Sequence, residues 1–532
     1  MDCTAQRLNY RDTLAFSKLA LDYLDNAEAL QPFYGFRPDK EGLLQQIKLR
    51  QSFTVNRPAL VAALQQQYAD LPMSNAVKQH LEDLLEEQTF TITTAHQPNL
   101  FTGPLYFFYK ILHVIKLAEE LRKELPQYKF VPVYYMGSED ADVEELAHFH
   151  IRGEKREWKT EQSGAFGRFI IDQQLIEMIN QLEGEIAVHS FGNEYISKLK
   201  SCYRKGNSIQ QATFEFVNEL LGHYGLIVLI PDVKELRQQM ISVFEDELLH
   251  HRSAGLVTST TEQLAQHYKV QASGREINLF YLDEDVRERI EADGEQFKVA
   301  NTTIRFSREE ILNELNNHPE RFSPNVILRG LYQETILPNI AFVGGGGELA
   351  YWMELKEVFH YYKVPYPVLL LRNSFLLLEE KWDAQIQKLG FTVNDFFQSQ
   401  EELLNNLVRK QTSNSLSIED ELRAAVTFYD ELSTKAASVD PTLKQHVGAL
   451  REKAVYRLHE LEKKIFRAEK RKFSDQKQQI EQVRNYIAPN GTLQERIENI
   501  APFYAKWGTA LIDELYKHSF TFEQQFIILT IH

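Results

Sequence analysis

The sequence predicts an α/β protein whose core is a doubly wound parallel sheet. Three observations carry this. Short apolar or β-branched runs without polar alternation recur along the chain, as strands covered on both faces require. Helical-period segments separate them, and strand, helix and strand fit within about 50 residues, the length of a βαβ unit. Several of the runs empty into loops rich in Gly, His or acidic residues, the kind that line ligand sites at strand ends.

Taken in order, residues 1–88 read as a helical segment packing on the core, with a break near Gln31–Pro38. The first strand is Thr89–Ala95, β-branched and short. It runs through His96–Gly103 to Pro104, a first-turn proline for the helix Pro104–Leu125, whose apolar positions include Leu105, Phe108, Leu112, Ile115 and Leu121. Lys129–Met136 is the second strand, completing the core's first half at 89–149. The core resumes over 206–254 with a helix Ser208–His223, a strand Leu226–Pro231 and a helix Val233–His250. Its last part, 326–380, holds a strand Thr335–Val343, four glycines, a helix Glu348–Tyr362 and a strand Pro367–Leu371. The mixed stretches 150–205 and 255–325 read as two insertions.

The remainder, 381–532, reads as a helical domain containing a coiled coil at about 440–486. Val447, Ala454, Leu461 and Ala468 are spaced by sevens, with Leu458 and Ile465 in the seam between. Two readings stand: a helix packed within the chain, or the seam of a homodimer.

Bulk composition limits function. The 532 residues exceed one compact core, so about two to four structural units are expected. A net charge of −16 argues against nucleic-acid binding, which needs a basic face. Cys3 and Cys202 offer neither a disulfide framework nor a metal knuckle. The charged first 25 residues hold no signal-peptide core, and no run reaches the roughly 18 apolar residues of a membrane span, so a cytoplasmic protein is expected.

Four stretches can carry chemistry. In His96-Gln97-Pro98-Asn99-Leu100-Phe101-Thr102-Gly103-Pro104, Thr102 and Gly103 allow close backbone approach to a ligand. The helix start beyond favours an anion, and His96 can hydrogen-bond a phosphate or act as acid or base. Asn99 belongs to the same candidate catalytic set. In Ser138-Glu139-Asp140-Ala141-Asp142, the carboxylates can hold an amine, act as a base or bind Mg²⁺, and His148 and His150 make a transition-metal site conceivable. Gly344–Gly347 with Glu348, Tyr351 and Trp352 can form a polar-aromatic substrate pocket, Gly345 and Gly346 admitting a ligand to the backbone. Arg372-Asn373-Ser374 and Asn490-Gly491 with Gln494 and Arg496 can hold a phosphate or an adenine edge. GxGxxG, GxxxxGK[ST] and GxSxG motifs are all absent, which disfavours nicotinamide enzymes, P-loop ATPases and Ser–His–Asp hydrolases.

Ala95–Tyr106 and Pro132–Asp142 resemble the two signatures of the cysteine ligase family of bacillithiol biosynthesis (BshC). The agreement extends over almost the whole chain, including Gly344–Glu348, Leu371–Ser374, the coiled coil and Pro489–Arg496. The chain has His96 where the family commonly has Gln, and Ala141 where it commonly has His. His96 also resembles the first His of the HIGH motif of class I aminoacyl-tRNA synthetases. The resemblance implies a Rossmann-like core and an amide-forming ligase that joins cysteine to glucosaminyl-malate in the last step of the pathway. It further implies activation by ATP, and ADP held near the junction of core and C-terminal region. That points to Arg372, Asn373, Ser374, Asn490, Gly491, Gln494 and Arg496, away from the strand-end pocket. A homodimer through the coiled coil is expected. The rival readings are a nucleotidyltransferase acting on another small molecule and a non-catalytic dimeric scaffold.

Overall fold

The computed structural model describes residues 2–271, 274–414 and 416–532. Five parallel strands form the central sheet: β1 (Thr89–His96), β2 (Lys129–Met136), β3 (Ile227–Leu229), β4 (Asn339–Gly344) and β5 (Val368–Leu371). Their spatial order is β5-β4-β1-β2-β3. The winding reverses between β1 and β4, so the carboxyl ends of those two strands flank the crevice where doubly wound sheets bind ligands.

Alternation along β1 sends Phe90 and Ile92 to one face and Thr91 and Thr93 to the other. The first pair joins Leu43 and Ile47 of the helix Lys40–Gln51 and Val114, Leu117 and Leu121 of α1 (Tyr106–Glu124) in one apolar layer. Each such side chain contributes about 1.5–3 kcal/mol on burial. On the other face, Thr91 and Thr93 donate to Asn339 Oδ1 at 3.2 and 2.9 Å, which satisfies a buried amide and joins β1 to β4. The remaining core helices used below are α2 (Ile209–Leu221), α3 (Val326–Ile336) and α4 (Gly346–Glu354).

The stretch between β2 and β3 holds a hairpin, His148–Ile151 with Glu154–Glu157, and the helices Gln173–Ile186 and Gly192–Cys202. That between β3 and β4 holds a separate five-stranded sheet whose strands include Leu279–Leu282, Arg287–Asp293 and Phe322–Pro324. Neither adds a strand to the core sheet.

The chain divides into two units, Met1–Leu377 with Thr492–His532, and Leu378–Gly491. The sequence groups 381–532 together, whereas Thr492–His532 folds with the first unit. The reason is pairing between the ends of the chain: Cys3–Leu8 runs antiparallel to Phe526–Ile531. Both strands lie in stretches expected to be helical. Thr335 and Ile336, expected in a strand, instead end α3, and β4 begins only after Pro338.

In the second unit, α5 (Glu419–Val439) and α6 (Leu443–Lys470) form a helical hairpin, and α7 (Ser474–Ile487) follows a 3₁₀ turn. The hairpin buries no side chain of α5 and only Glu469 of α6.

Two predictions follow from this packing. Gly103 has φ 65°, ψ −143°, and a Cβ there would stand 2.8 Å from Asn99 Cβ. Gly103→Ala is expected to destabilise the protein by about 2–4 kcal/mol, read as an earlier urea midpoint. Gly347→Ala, whose Cβ meets no atom within 4 Å, should leave the midpoint in place. A Gly103→Ala midpoint equal to wild type would refute the strain.

His80 and His113 are buried as neutral rings. His113 accepts from the Asn373 amide and faces Thr521 O, and His80 pairs with Gly225 O and Arg122, so each ring uses one nitrogen as donor and one as acceptor. Burial pushes both pKa values down to about 4, with Arg122 adding to the effect at His80. The unfolded chain takes up protons below its ordinary value near 6.5, the folded one only near 4, so stability falls as pH drops through that window. Glu334, raised to about 7 by burial, acts in the opposite sense. The readout is therefore the difference between wild type and His113→Gln, expected to be about 1.4 kcal/mol per pH unit between pH 6 and 4.5. Parallel pH profiles for the two proteins would contradict it.

Candidate active site at the strand switch point

The segment leaving β1 is forced into a tight turn. Phe101, Thr102 and Gly103 have φ of 50°, 73° and 65° in succession, a conformation that non-glycine residues rarely adopt. Buried Asn499 holds it, its Nδ2 donating to Phe101 O at 2.9 Å and Gly103 O at 2.7 Å, while the Leu105 amide donates to Glu498 O at 2.8 Å. The turn restarts the chain as α1 and sets His96 and Tyr106 on one wall of a cleft of about 720 Å³.

Gln97 belongs to the same wall, and Gly137 and Asp140 follow β2. Gly345–Glu348 and Tyr351 enter from the turn after β4 and from α4, and Arg372 follows β5. Arg496 comes from the C-terminal segment, while Arg275, Phe280 and Arg287 come from the second insertion and Arg329 from α3. Five arginines thus face three carboxylates, Asp140, Glu145 and Glu348, a cationic site in a chain of net charge −16.

Beneath the cleft, Lys110 of α1 is 1% exposed and donates to Glu348 Oε1 and Oε2 at 2.9 and 2.8 Å and to Ala95 O at 2.5 Å. Glu348 Oε2 also accepts from the Gly345 amide at 2.8 Å, closing the glycine turn. Arg372 lies 4.9 Å from the Tyr106 ring and pairs bidentately with buried Glu495 at 2.7 and 3.0 Å. The Arg496 guanidinium makes no hydrogen bond or ion pair among the described residues.

Burial holds the His96 pKa well below its ordinary value, and the cations of Lys110 and Arg372 lower it further. Its Nε2 is buried with no partner. His96 is therefore a neutral hydrogen-bonding group at pH 7. Burial works against the charge of Asp140, but Arg329, Arg287, Gln97 and the Ala141 amide outweigh it and bring its pKa below the usual carboxylate value. An ionised carboxylate of this kind binds an ammonium well and abstracts protons poorly at pH 7.

The structure brings together His96, Asp140, Gly345, Gly346, Glu348, Tyr351, Arg372 and Arg496. It removes other expected residues from the cleft wall. Thr102 is buried with its hydroxyl on Phe101 O, and Asn99 packs under Gly103, so these two and Gly103 shape the turn rather than contact a ligand. Glu139 forms a buried ion pair with Arg237 and accepts from Ser323, Ser138 is buried, and Asp142 caps the short helix Val143–Leu146. Trp352 is core, tilted 30° against the Phe342 ring and closing on Gly330. Asn373 donates to Phe520 O and Gln494 pairs with the Leu377 backbone, while Ser374 is fully buried. Asn490 and Gly491 belong to the second unit, in a turn with Asn490 at φ 54°. Arg372 and Arg496, expected away from the strand-end pocket, line it, because β5 lies beside β4 and its exit opens on the same crevice.

Sequence reasoning passed over Lys110, Arg287 and Arg329. A lysine inside Phe107-Phe108-Tyr109-Lys110-Ile111-Leu112 was a legible signal of a buried charge. The two arginines carry no local signal. Among the described residues no group of three or more His, Cys, Asp and Glu is placed to hold a metal ion. His148 and His150 sit on the hairpin with ring centroids 5.1 Å apart, outside the cleft.

Two family models match the chain: the N-terminal Rossmann-like domain of bacillithiol biosynthesis BshC over residues 1–373, and its C-terminal coiled-coil domain over 375–531. Relatives named "Putative cysteine ligase BshC" include one from Flavobacterium johnsoniae, 39% identical over 98% of this chain and 99% of its own length. Another from Cytophaga hutchinsonii is 38% identical over 97% and 96%. One from Salinibacter ruber is 28% identical over 94% of each chain. With matched domains over nearly its whole length and relatives of this similarity, the chain belongs to the BshC family of bacillithiol biosynthesis.

Proposed function

We propose that the cleft is the active site of a carbon–nitrogen ligase that joins the carboxyl of cysteine to the amine of glucosaminyl-malate, the last step of bacillithiol synthesis. The observation that carries this reading is a cationic cleft at the switch point with an ionised carboxylate, Asp140, on its wall. Every reactant other than the acceptor's amine is anionic or carries a carboxylate, which suits the arginines. Asp140 is placed to hold and orient that amine. His96 offers Nε2 to a carbonyl or phosphate oxygen without having to titrate.

Amide formation from a carboxylate is uphill at pH 7, so the reading includes activation by ATP. The residues present fit a phosphate. The Arg496 guanidinium makes no hydrogen bond or ion pair among the described residues, and Gly347 presents open space where a side chain would stand. The Tyr106 ring, its hydroxyl held protonated by burial at a pKa of about 12, adds a flat apolar surface.

Deleting the encoding gene should abolish bacillithiol and accumulate glucosaminyl-malate. Wild-type complementation should restore the thiol, whereas Asp140→Asn, checked for a wild-type unfolding midpoint, should restore under about a tenth, since loss of orientation costs 10-fold or more. An unchanged thiol pool in the deletion strain, or full rescue by Asp140→Asn, would sink the reading.

We also infer that the protein is a homodimer through the α5–α6 hairpin, which leaves Phe428, Leu432, Leu450 and Leu461 at 56, 37, 42 and 48% exposure. Light scattering should give twice the chain mass, and Phe428→Asp combined with Leu461→Asp should give the single-chain mass. A wild-type monomer would refute this.

A further inference from the structure

The cations of the cleft are not equivalent. Lys110 and Arg372 are matched by Glu348 and Glu495. Arg287 and Arg329 are not matched in this way. Arg287 opens the strand Arg287–Asp293, lies 4.0 Å from the Phe280 ring, and keeps its Nε buried with no partner. Its guanidinium makes no hydrogen bond or ion pair among the described residues. Arg329 approaches Asp140 at 3.5 Å, longer than a charge-assisted hydrogen bond. Behind Arg287, Arg237 is already paired with Glu139. Burial and the neighbouring Arg329 push Arg287 down to about 10. Asp140 acts through space on both guanidiniums, but only Arg329 comes within ion-pair distance of it. Such an arrangement is unfavourable until an anion completes it, and a guanidinium fork is shaped for carboxylate oxygens.

We propose that Arg287 and Arg329 form a dicarboxylate clamp that binds the malate end of the acceptor and decides which amines the cleft acylates. The proposal rests on the ligase reading. In a glucosaminyl glycoside the C2 amine adjoins the anomeric carbon that bears the malate, so the ammonium and the dianion sit on neighbouring carbons. Asp140 stands beside both arginines, and this places an ammonium site next to a carboxylate site, as that substrate requires.

The test uses the full-length protein and calorimetric titration at fixed ionic strength with two probes, L-malate and L-lactate, which differ by one carboxylate. Wild type should bind malate more tightly than lactate by about 10-fold or more. Arg287→Met and Arg329→Met should each weaken malate binding about 10- to 100-fold and hardly change lactate. Because Arg287→Met removes a buried charge that makes no hydrogen bond or ion pair and keeps an apolar side chain against Phe280, its thermal midpoint should equal or exceed that of wild type, the reverse of what a structural arginine would show. Equal malate affinity in wild type and Arg287→Met overturns the clamp, and a fall in midpoint assigns Arg287 to the scaffold instead. Synthesis is read separately. Malate binding that depends on Arg287 without any amide product from glucosaminyl-malate would retain the clamp and reject the ligase.

Discussion

The buried ammonium of Lys110 is the interaction on which the cleft depends. Its three protons are spent on Ala95 O and the two oxygens of Glu348, so one charge ties the end of β1 to the glycine turn that opens α4. Those are the two sides of the switch point. Removing either partner would leave a buried, uncompensated charge, which costs far more than an intact pair contributes. Burial lowers the Lys110 pKa, yet Glu348 keeps the charge in place, and the same charge helps hold His96 neutral. Position and protonation at the cleft thus share one cause.

Around that pair the walls follow a common logic. Arg372 with Glu495 and Asn499 with the carbonyls of the Phe101–Gly103 turn are polar groups satisfied inside the protein. Each fixes a segment that would otherwise be free to shift. Arg287 and Arg496 have no such partner, and Arg329 has only a distant one. On the reading proposed above, cations paired inside the protein build the cleft, and those without such a partner are left to meet a ligand.

Much of the frame was legible along the chain. β1, β2 and β5 announce themselves because strands covered on both faces are written as unbroken β-branched or apolar runs. The glycine turn after β4 was also visible, though its strand was placed too early: Thr335 and Ile336 carry strand-like side chains but finish a helix. Within the first signature, the sequence could not separate His96 and Gln97, which face the cleft, from Asn99 and Thr102, which are folded beneath it. That sorting depends on three successive positive φ angles and on Asn499, almost 400 residues away. Trp352 looked like a pocket aromatic and is core, since Gly330 leaves room for its ring.

The sequence alone determined the parallel α/β core, the loops that border its switch point and the family to which the chain belongs. These depend on local patterning and on short runs of residues that carry the family resemblance. Tertiary structure alone decided the pairing of Cys3–Leu8 with Phe526–Ile531 and the return of Thr492–His532 to the first unit. It also decided the electrostatics of the cleft, because Arg287, Arg329, Arg372 and Arg496 come from four separate stretches of chain and meet only when the sheet is wound. Hydrophobic periodicity is written residue by residue, whereas charge acts through space between groups whose spacing in sequence carries no information about their distance.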